Sequence, residues 1–211
     1  SAEILKNKGA IHTAKEISQQ PDLWKNTWKA LYKEQSNLQA FLSKSLDQAQ
    51  RIILTGAGTS SFIGISLKGS FQRNTGIITE SIPTTDLVSH PMDYLMADIP
   101  TLMVSFARSG NSPESEAAVA IADTLCKNCF HLIITCNPDG KLAQYPARQK
   151  FVFTLPEEAN DQSLAMTSSY SGMFLAGILL SKLPDLERSK SMVDTLAIYA
   201  EKAIRYYAEE L

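Results

Sequence analysis

The sequence has few cysteines and no long apolar segment, and each of these absences excludes a class of protein. The three cysteines among its 211 residues are Cys126, Cys129 and Cys136. The first two have the spacing of a zinc or redox pair, but no second pair completes a metal site, so we expect buried thiols and no metal. The longest apolar stretch, residues 173–180, is too short to cross a membrane, and the charged N-terminal region lacks the apolar core of a signal peptide. We therefore expect a cytoplasmic protein that does not bind membranes.

The sequence also lacks a strong charge of either sign. It has 20 Lys and Arg, 22 Asp and Glu and a net charge of -2, and the basic residues form no cluster. Because nucleic acid is bound by basic surfaces, we expect no nucleic-acid partner. Hydrophobic residues make up 44% of the chain, which at this length is enough for one well-buried α/β core.

Five apolar segments have the length and composition of β-strands. They are residues 51–55, 77–81, 101–106, 131–136 and 151–155. Helical patterns separate most of them, and such alternation favours a parallel sheet with right-handed crossovers. The sequence therefore predicts a doubly wound, Rossmann-like three-layer αβα fold with a five-stranded parallel sheet and additional N-terminal helices. His131 is expected in the core of this fold and His12 ahead of it.

Helical patterns also set the expected domain boundaries. An amphipathic pattern has a new helix start at Pro21, and Ser112 followed by Pro113 is typical of a helix N-cap and first turn. The predicted helical regions are residues 13–47, about 112–127, about 164–182 and about 188–211. We expect an N-terminal helical segment, one α/β domain and a C-terminal helix, at residues 1–47, 48–184 and 185–211.

Two turns, which follow the first and third predicted strands, have the same design. Residues 53–64 (ILTGAGTSSFIG) and 104–115 (VSFARSGNSPES) each combine an apolar run, a turn rich in Gly, Ser or Thr, and a helix start. In a parallel sheet such turns lie at the carboxyl ends of the strands, where N–H groups and hydroxyls at a helix N-terminus bind phosphate. The candidate binding residues are Gly58, Thr59, Ser60, Ser61, Arg108, Ser109, Asn111 and Ser112.

Some of these residues have alternative interpretations. Gly56 and Gly58 follow a strand, as in a dinucleotide site, and Glu80 lies where such a site has its ribose-binding acid. Ser61, however, occupies the third glycine position, and that fingerprint does not predict a second anion-binding turn. Serine and glycine also cap helices without binding a ligand. Arg108 can either contact phosphate or cover the sheet edge.

The motifs in these turns resemble those of the sugar isomerase (SIS) domain, a five-stranded flavodoxin-like fold that binds phosphosugars. The segments GAGTSSFIG, PTTDLVSHPMDYL, SFARSGNSPES and LAMTSS together resemble the galactosamine-6-phosphate deaminase/isomerase group, also called tagatose-6-phosphate ketose/aldose isomerases. The resemblance covers residues 17–180 and implies that Ser60, Ser109 and Ser112 bind the phosphate of a sugar 6-phosphate.

The sequence departs from this family in two respects. Ala107 stands where many SIS isomerases have another phosphate-binding serine, and Arg108 or Ser105 is expected to compensate. Members of the group carry two SIS domains in tandem, whereas this sequence ends where the second is expected to begin. The resemblance therefore leaves open whether the catalytic base lies within this chain.

The resemblance implies an enzyme that converts galactosamine 6-phosphate to tagatose 6-phosphate and ammonia without a metal or redox cofactor. Isomerisation without deamination and phosphosugar sensing without catalysis are the alternatives. The reaction needs a carboxylate base and an acid. The candidate bases are Glu158 and its loop neighbours Glu157 and Asp161, although a solvated acidic loop also explains each of them, and the candidate acid is His90. Thr167 and Ser168 either contact sugar hydroxyls or cap the next helix. We expect a homo-oligomer, because the helices expose more apolar surface than one core needs.

Overall fold

A sheet of five parallel strands carries the fold. In this computed structural model, which describes residues 2–207, the strands are β1 (Arg51–Gly56), β2 (Ile78–Ser81), β3 (Thr101–Ala107), β4 (Cys129–Thr135) and β5 (Lys150–Thr154). Their order is β2-β1-β3-β4-β5, and every neighbouring pair is parallel. The predicted five-stranded parallel sheet is confirmed, and each strand lies within two residues of its predicted position.

Eleven α-helices lie within residues 2–207. They are α1 (Ala2–Asn7), α2 (Ile11–Ser18), α3 (Gln20–Lys33), α4 (Gln35–Gln48), α5 (Thr59–Thr75), α6 (Thr84–Ser89), α7 (Pro91–Tyr94), α8 (Pro113–Leu125), α9 (Lys141–Gln144), α10 (Ser168–Ser181) and α11 (Lys190–Tyr207). Pro21 lies in the first turn of α3, as predicted. The last predicted helix begins at Lys190, and residues 208–211 lie outside the described residues. Among the described helices, none has the length and apolar composition that a membrane crossing requires.

The helices cover both faces of the sheet, because the side chains of each strand alternate between two apolar clusters. Ile52 and Leu54 of β1 pack with α3, α4, α5, α10 and α11, whereas Ile53 packs with α6, α8 and α9. The central strands β1, β3 and β4 are buried along their whole length. This is the pattern of parallel strands that have helices on both sides. The predicted three-layer αβα fold is confirmed.

Helix α10 begins at Ser168, four residues later than the sequence predicts. The carboxylate of Asp161 accepts hydrogen bonds of 3.0, 3.0 and 2.8 Å from the backbone N–H groups of Thr167, Ser168 and Ser169. The first N–H groups of a helix lack partners within the helix, and here Asp161 provides them. The helix therefore starts where this carboxylate caps it, and residues 162–167 form a loop between β5 and α10.

His131 and the three cysteines are buried, as predicted. His131 lies in β4 with none of its surface exposed, and its Nε2 is 3.5 Å from Asp123 Oδ1. Burial lowers the pKa of His131 from 6.5 to about 4, although the nearby carboxylate opposes this shift. The imidazole is therefore neutral in the folded protein at neutral pH.

We predict that His131 makes the protein less stable in mild acid. Its pKa is about 4 in the folded protein and near 6.5 in the unfolded chain, so the unfolded state binds the proton more strongly between these values, and stability is lost as the pH falls. Between pH 6.5 and about pH 5 the loss is about 2 kcal/mol. His131→Leu, which keeps a buried side chain in β4 but cannot take up a proton, should reduce this loss.

Urea unfolding near pH 7 and near pH 5 measures the effect. His90→Leu is the matched control, because His90 is exposed and should leave the pH dependence of the wild type unchanged. The same pH dependence in His131→Leu and in the wild type would contradict the prediction.

Candidate functional site

The two turns that are predicted to bind phosphate lie side by side at the carboxyl edge of the sheet. The pairing of β1 with β3 runs from Arg51 and Thr101 to Gly56 and Phe106. After β1 the chain enters α5 on one face of the sheet, and after β3 it enters α8 on the other face. Open α/β sheets bind ligands at such a switch point, where the connections diverge.

A cavity of about 280 Å³ opens between the two turns. Six of the predicted binding residues line it, namely Gly58, Thr59, Ser60, Arg108, Ser109 and Ser112. Glu114 and Ser115 of α8 also line it, as do Leu164 and Met166 from the loop that precedes α10. The structure therefore brings most of the predicted binding residues into one site.

Gly58 gives the first turn its shape. Its φ of 53° is a conformation that L side chains rarely adopt, and α5 starts at the next residue, Thr59. The Ser61 hydroxyl donates to the Gly58 carbonyl at 2.7 Å, so Ser61 supports the turn and does not line the cavity. No side chain in this part of the described chain caps α5. Of its first N–H groups, those of Ser60 and Ser61 donate to the backbone carbonyls of Ala57 and Gly58, at 3.1 and 3.0 Å.

The second turn presents two hydroxyls at the start of α8. Pro113 lies in the first turn, as predicted, but Ser112 does not cap the helix with its side chain. Instead, Ser112 Oγ lies 2.7 Å from Ser115 Oγ, and both residues line the cavity. The positive end of the α8 dipole faces the same space, which favours an anion there.

The segment that follows β4 holds the second turn in place. Asn137 Nδ2 donates to the Ser109 carbonyl at 2.9 Å. Asn111, a predicted binding residue, accepts a hydrogen bond of 3.2 Å from the Lys141 N–H and does not line the cavity. The sequence analysis missed this support. The motif Asn-Pro-Asp-Gly at residues 137–140 does predict a turn at the same edge of the sheet, but not the contact it makes.

Arg108 brings positive charge to the cavity. Its Nη1 donates to the Ser163 carbonyl at 3.2 Å, so the loop before α10 holds the guanidinium in place. A guanidinium and two helix N-termini together favour a bound anion. Of the two residues expected to compensate for Ala107, Arg108 lines the cavity, whereas Ser105 is buried in β3 and its hydroxyl has no hydrogen-bond partner among the described residues.

Glu158, the predicted base, lies in a second cavity of about 310 Å³ between α2 and the loop after β5. The residues that line it are His12, Lys15, Glu16, Gln19, Glu157, Glu158, Asn160 and Gln162. Glu158 Oε1 accepts a hydrogen bond of 2.7 Å from Asn26 Nδ2. His12, which the sequence analysis placed ahead of the fold, shares this cavity with Glu158. The two are far apart in the chain, so no spacing motif could reveal them as neighbours.

Three other predicted residues line neither cavity. His90 is exposed after α6, and its Nδ1 lies 2.8 Å from Ser89 Oγ. Thr167 is the N-cap residue of α10 and Ser168 its first residue, but the Thr167 side chain does not cap the helix. The N–H groups of both residues donate to Asp161, which caps the helix instead. Among residues 2–207, no group of three or more His, Cys, Asp or Glu side chains is placed to hold a metal ion.

Comparison with known proteins decides the family. The SIS domain profile matches residues 45–181 of this sequence. The chain belongs to the SIS domain family. The matched region runs from the end of α4 through α10, so it contains both turns of the phosphate-binding candidate site and confirms the resemblance found in the sequence.

This SIS chain has relatives that are about twice as long. It is 49% identical over 186 residues to D-galactosamine-6-phosphate deaminase AgaS from Shewanella sp. (strain ANA-3). This match covers 85% of this chain and 48% of that protein. A crystal structure from Clostridium novyi NT has a TM-score of 0.95 at 41% identity and covers 99% of this chain and 54% of that one. The crystal structure of tagatose-6-phosphate ketose/aldose isomerase from Escherichia coli has a TM-score of 0.81 at 38% identity. That match covers 90% of this chain and 53% of the Escherichia coli chain. The chain thus spans about half the length of these relatives.

We predict that Gly140→Ala disturbs the second turn of the SIS domain. A Cβ at this position would lie 2.5 Å from the Ser109 carbonyl oxygen, so the backbone would have to shift. We expect the free energy of unfolding to fall by about 1–3 kcal/mol, as measured by urea denaturation.

Gly69→Ala in α5 is the matched control. A Cβ there would meet nothing within 4 Å, so the substitution should leave stability unchanged or raise it by about 1 kcal/mol. If Gly140→Ala were as stable as the wild type, the close packing of Gly140 against Ser109 would not constrain the turn.

Proposed function

We propose that this chain binds the phosphate of a sugar 6-phosphate and forms part of an enzyme that isomerises and deaminates galactosamine 6-phosphate. The cavity between α5 and α8 carries this proposal, because two helix N-termini, four serines and Arg108 meet there. A phosphate dianion suits such a set of donors. The names of the Shewanella and Escherichia coli relatives, a galactosamine-6-phosphate deaminase and a tagatose-6-phosphate ketose/aldose isomerase, support the choice of sugar.

In the proposed complex, Ser60, Ser109 and Ser112 hold the phosphate and Arg108 balances its charge. The sugar extends from there toward the loop before α10. The reaction begins with opening of the sugar ring, after which a base removes the proton from C2 and C1 is reprotonated. Water then hydrolyses the ketimine to tagatose 6-phosphate and ammonia. The overall reaction is a hydrolysis combined with an isomerisation, so it consumes no oxidant or reductant.

The acid and the base form a further part of the proposal. Glu158 and His12 line one cavity, so they are better placed to act together than Glu158 and His90. A base must lie within hydrogen-bond reach of the proton that it takes. The loop of residues 162–167 separates this cavity from the phosphate-binding one, and a bound sugar would have to reach past it.

A second candidate function is phosphosugar sensing without catalysis. It is favoured by one observation, which is that among residues 2–207 no histidine lines the cavity between the two turns. Ammonia release from galactosamine 6-phosphate distinguishes deamination from binding alone. Formation of a ketose phosphate without ammonia would indicate simple isomerisation.

We predict that Ser109→Ala and Ser112→Ala each weaken the binding of galactosamine 6-phosphate by about tenfold or more, because each removes a hydrogen bond to a charged ligand. Isothermal titration calorimetry measures the affinity. Ser66→Ala in α5 is the matched control, since its hydroxyl donates to the Phe62 carbonyl and it does not line the cavity. Unchanged affinity in both cavity variants would count against the proposed phosphate site.

We further propose that copies of this chain associate with one another. Phe62 and Ile65, one turn apart on α5, are 56% and 60% exposed, and exposed apolar faces often mark interfaces. We expect sedimentation velocity to show a species larger than a monomer, and Phe62→Glu with Ile65→Glu to shift it toward the monomer. Ile78→Glu, at the exposed edge strand β2, is the control. A wild-type protein that stays monomeric at high concentration would rule out this association.

A further inference from the structure

Glu16, in helix α2 of the N-terminal helical segment, is a buried carboxylate that binds a loop distant in the sequence. Only 4% of its surface is exposed. Its Oε1 accepts hydrogen bonds from the N–H groups of Gln162 at 2.7 Å and Ser163 at 3.0 Å. Its Oε2 accepts from the Ser163 hydroxyl and, at 3.4 Å, from the Thr167 hydroxyl. A buried carboxylate needs such partners, because an unpaired one is costly.

The loop that Glu16 holds is also a wall of the phosphate-binding cavity. The Ser163 N–H and hydroxyl donate to the Glu16 carboxylate, and the Ser163 carbonyl accepts from Arg108 Nη1 at 3.2 Å. Leu164 and Met166, the next members of the loop, line the same cavity as Arg108. Ser163 therefore connects the buried carboxylate of Glu16 to the guanidinium of Arg108.

The charge of Glu16 is maintained at neutral pH. Burial by itself would raise its pKa, but the hydrogen bonds from Ser163, Gln162 and Thr167 outweigh burial and hold the pKa below 4.5. Among the described residues, the Ser163 carbonyl is the one hydrogen-bond acceptor of the Arg108 guanidinium. If the loop moved, Arg108 would lose the contact that orients it toward the cavity.

We propose that Glu16 is a positioning residue of the phosphosugar site, which holds Ser163 so that its carbonyl orients Arg108 toward the ligand. This role rests on the proposed function, because it presumes a phosphosugar in the cavity. It also makes α2 a functional part of the binding site, although no residue of α2 lines the phosphate-binding cavity.

A double-mutant cycle tests this role by calorimetric titration of the 211-residue chain with galactosamine 6-phosphate. Glu16→Ala and Arg108→Ala should each weaken binding by about tenfold or more, since Arg108 contacts a charged group. If Glu16 acts through Arg108, adding Glu16→Ala to Arg108→Ala should cost less than about threefold more. Ser112→Ala removes a hydroxyl that lies just before α8 and is not bonded to the loop. Adding Glu16→Ala to this variant should therefore multiply the two losses.

Glu16→Gln covers the case in which Glu16→Ala does not fold. Its side-chain oxygen still accepts from the two backbone N–H groups, so it should bind more tightly than Glu16→Ala, and it can replace that variant in the same cycle. A loss of thermal stability alone, with unchanged affinity in folded protein, would overturn the positioning role. The positioning role would also be overturned if the affinity losses of Glu16→Ala and Arg108→Ala multiplied in the double variant.

The cycle also separates this role from the proposed function. If the wild type bound no galactosamine 6-phosphate, the proposed function would fail, and the positioning role with it. If the wild type bound the sugar and Ser112→Ala weakened binding, while Glu16→Ala did not, only the positioning role would fail.

Discussion

Backbone pairing holds Gly56 at the end of β1 beside Phe106 of β3, so the turns that follow these strands must start side by side. The helices after the two turns lie on opposite faces of the sheet, and a gap opens between their N-termini. The cavity is a consequence of this geometry rather than of any one side chain. Ser60 from one turn and Ser109 from the other meet only because two parallel strands are neighbours.

Two buried carboxylates extend this arrangement to the third wall of the cavity. Asp161 caps α10, and Glu16 holds the loop just before it, so the loop is fixed at both ends. Each carboxylate receives several N–H or O–H donors, which offsets the cost of removing its charge from water. Through these contacts, the N-terminal helical segment helps to hold the loop that lines the cavity between α5 and α8.

The phosphate-binding cavity and the acidic cavity have different chemistry. The first has serine hydroxyls, helix N-termini and Arg108, which suit an anion. The second has His12, Glu157 and Glu158, which suit proton transfer. The proposed function assigns the anionic end of a sugar phosphate to the first cavity and proton transfer to the second. The loop of residues 162–167 lies between them.

The sequence by itself determined the strands, the layers and the positions of the two turns, because apolar runs and turns rich in Gly, Ser and Thr are local properties of the chain. The resemblance to the SIS domain assigned Ser60, Ser109 and Ser112 to one site, and parallel strands do bring their carboxyl ends to a common edge. The tertiary structure decided the rest. That Asp161 starts α10 at Ser168 depends on how the short loop between them folds back. That Asn137 supports Ser109 and that His12 lies with Glu158 depend on contacts between distant segments. Such contacts leave no periodic or spacing signal, since they exist only once the chain has folded.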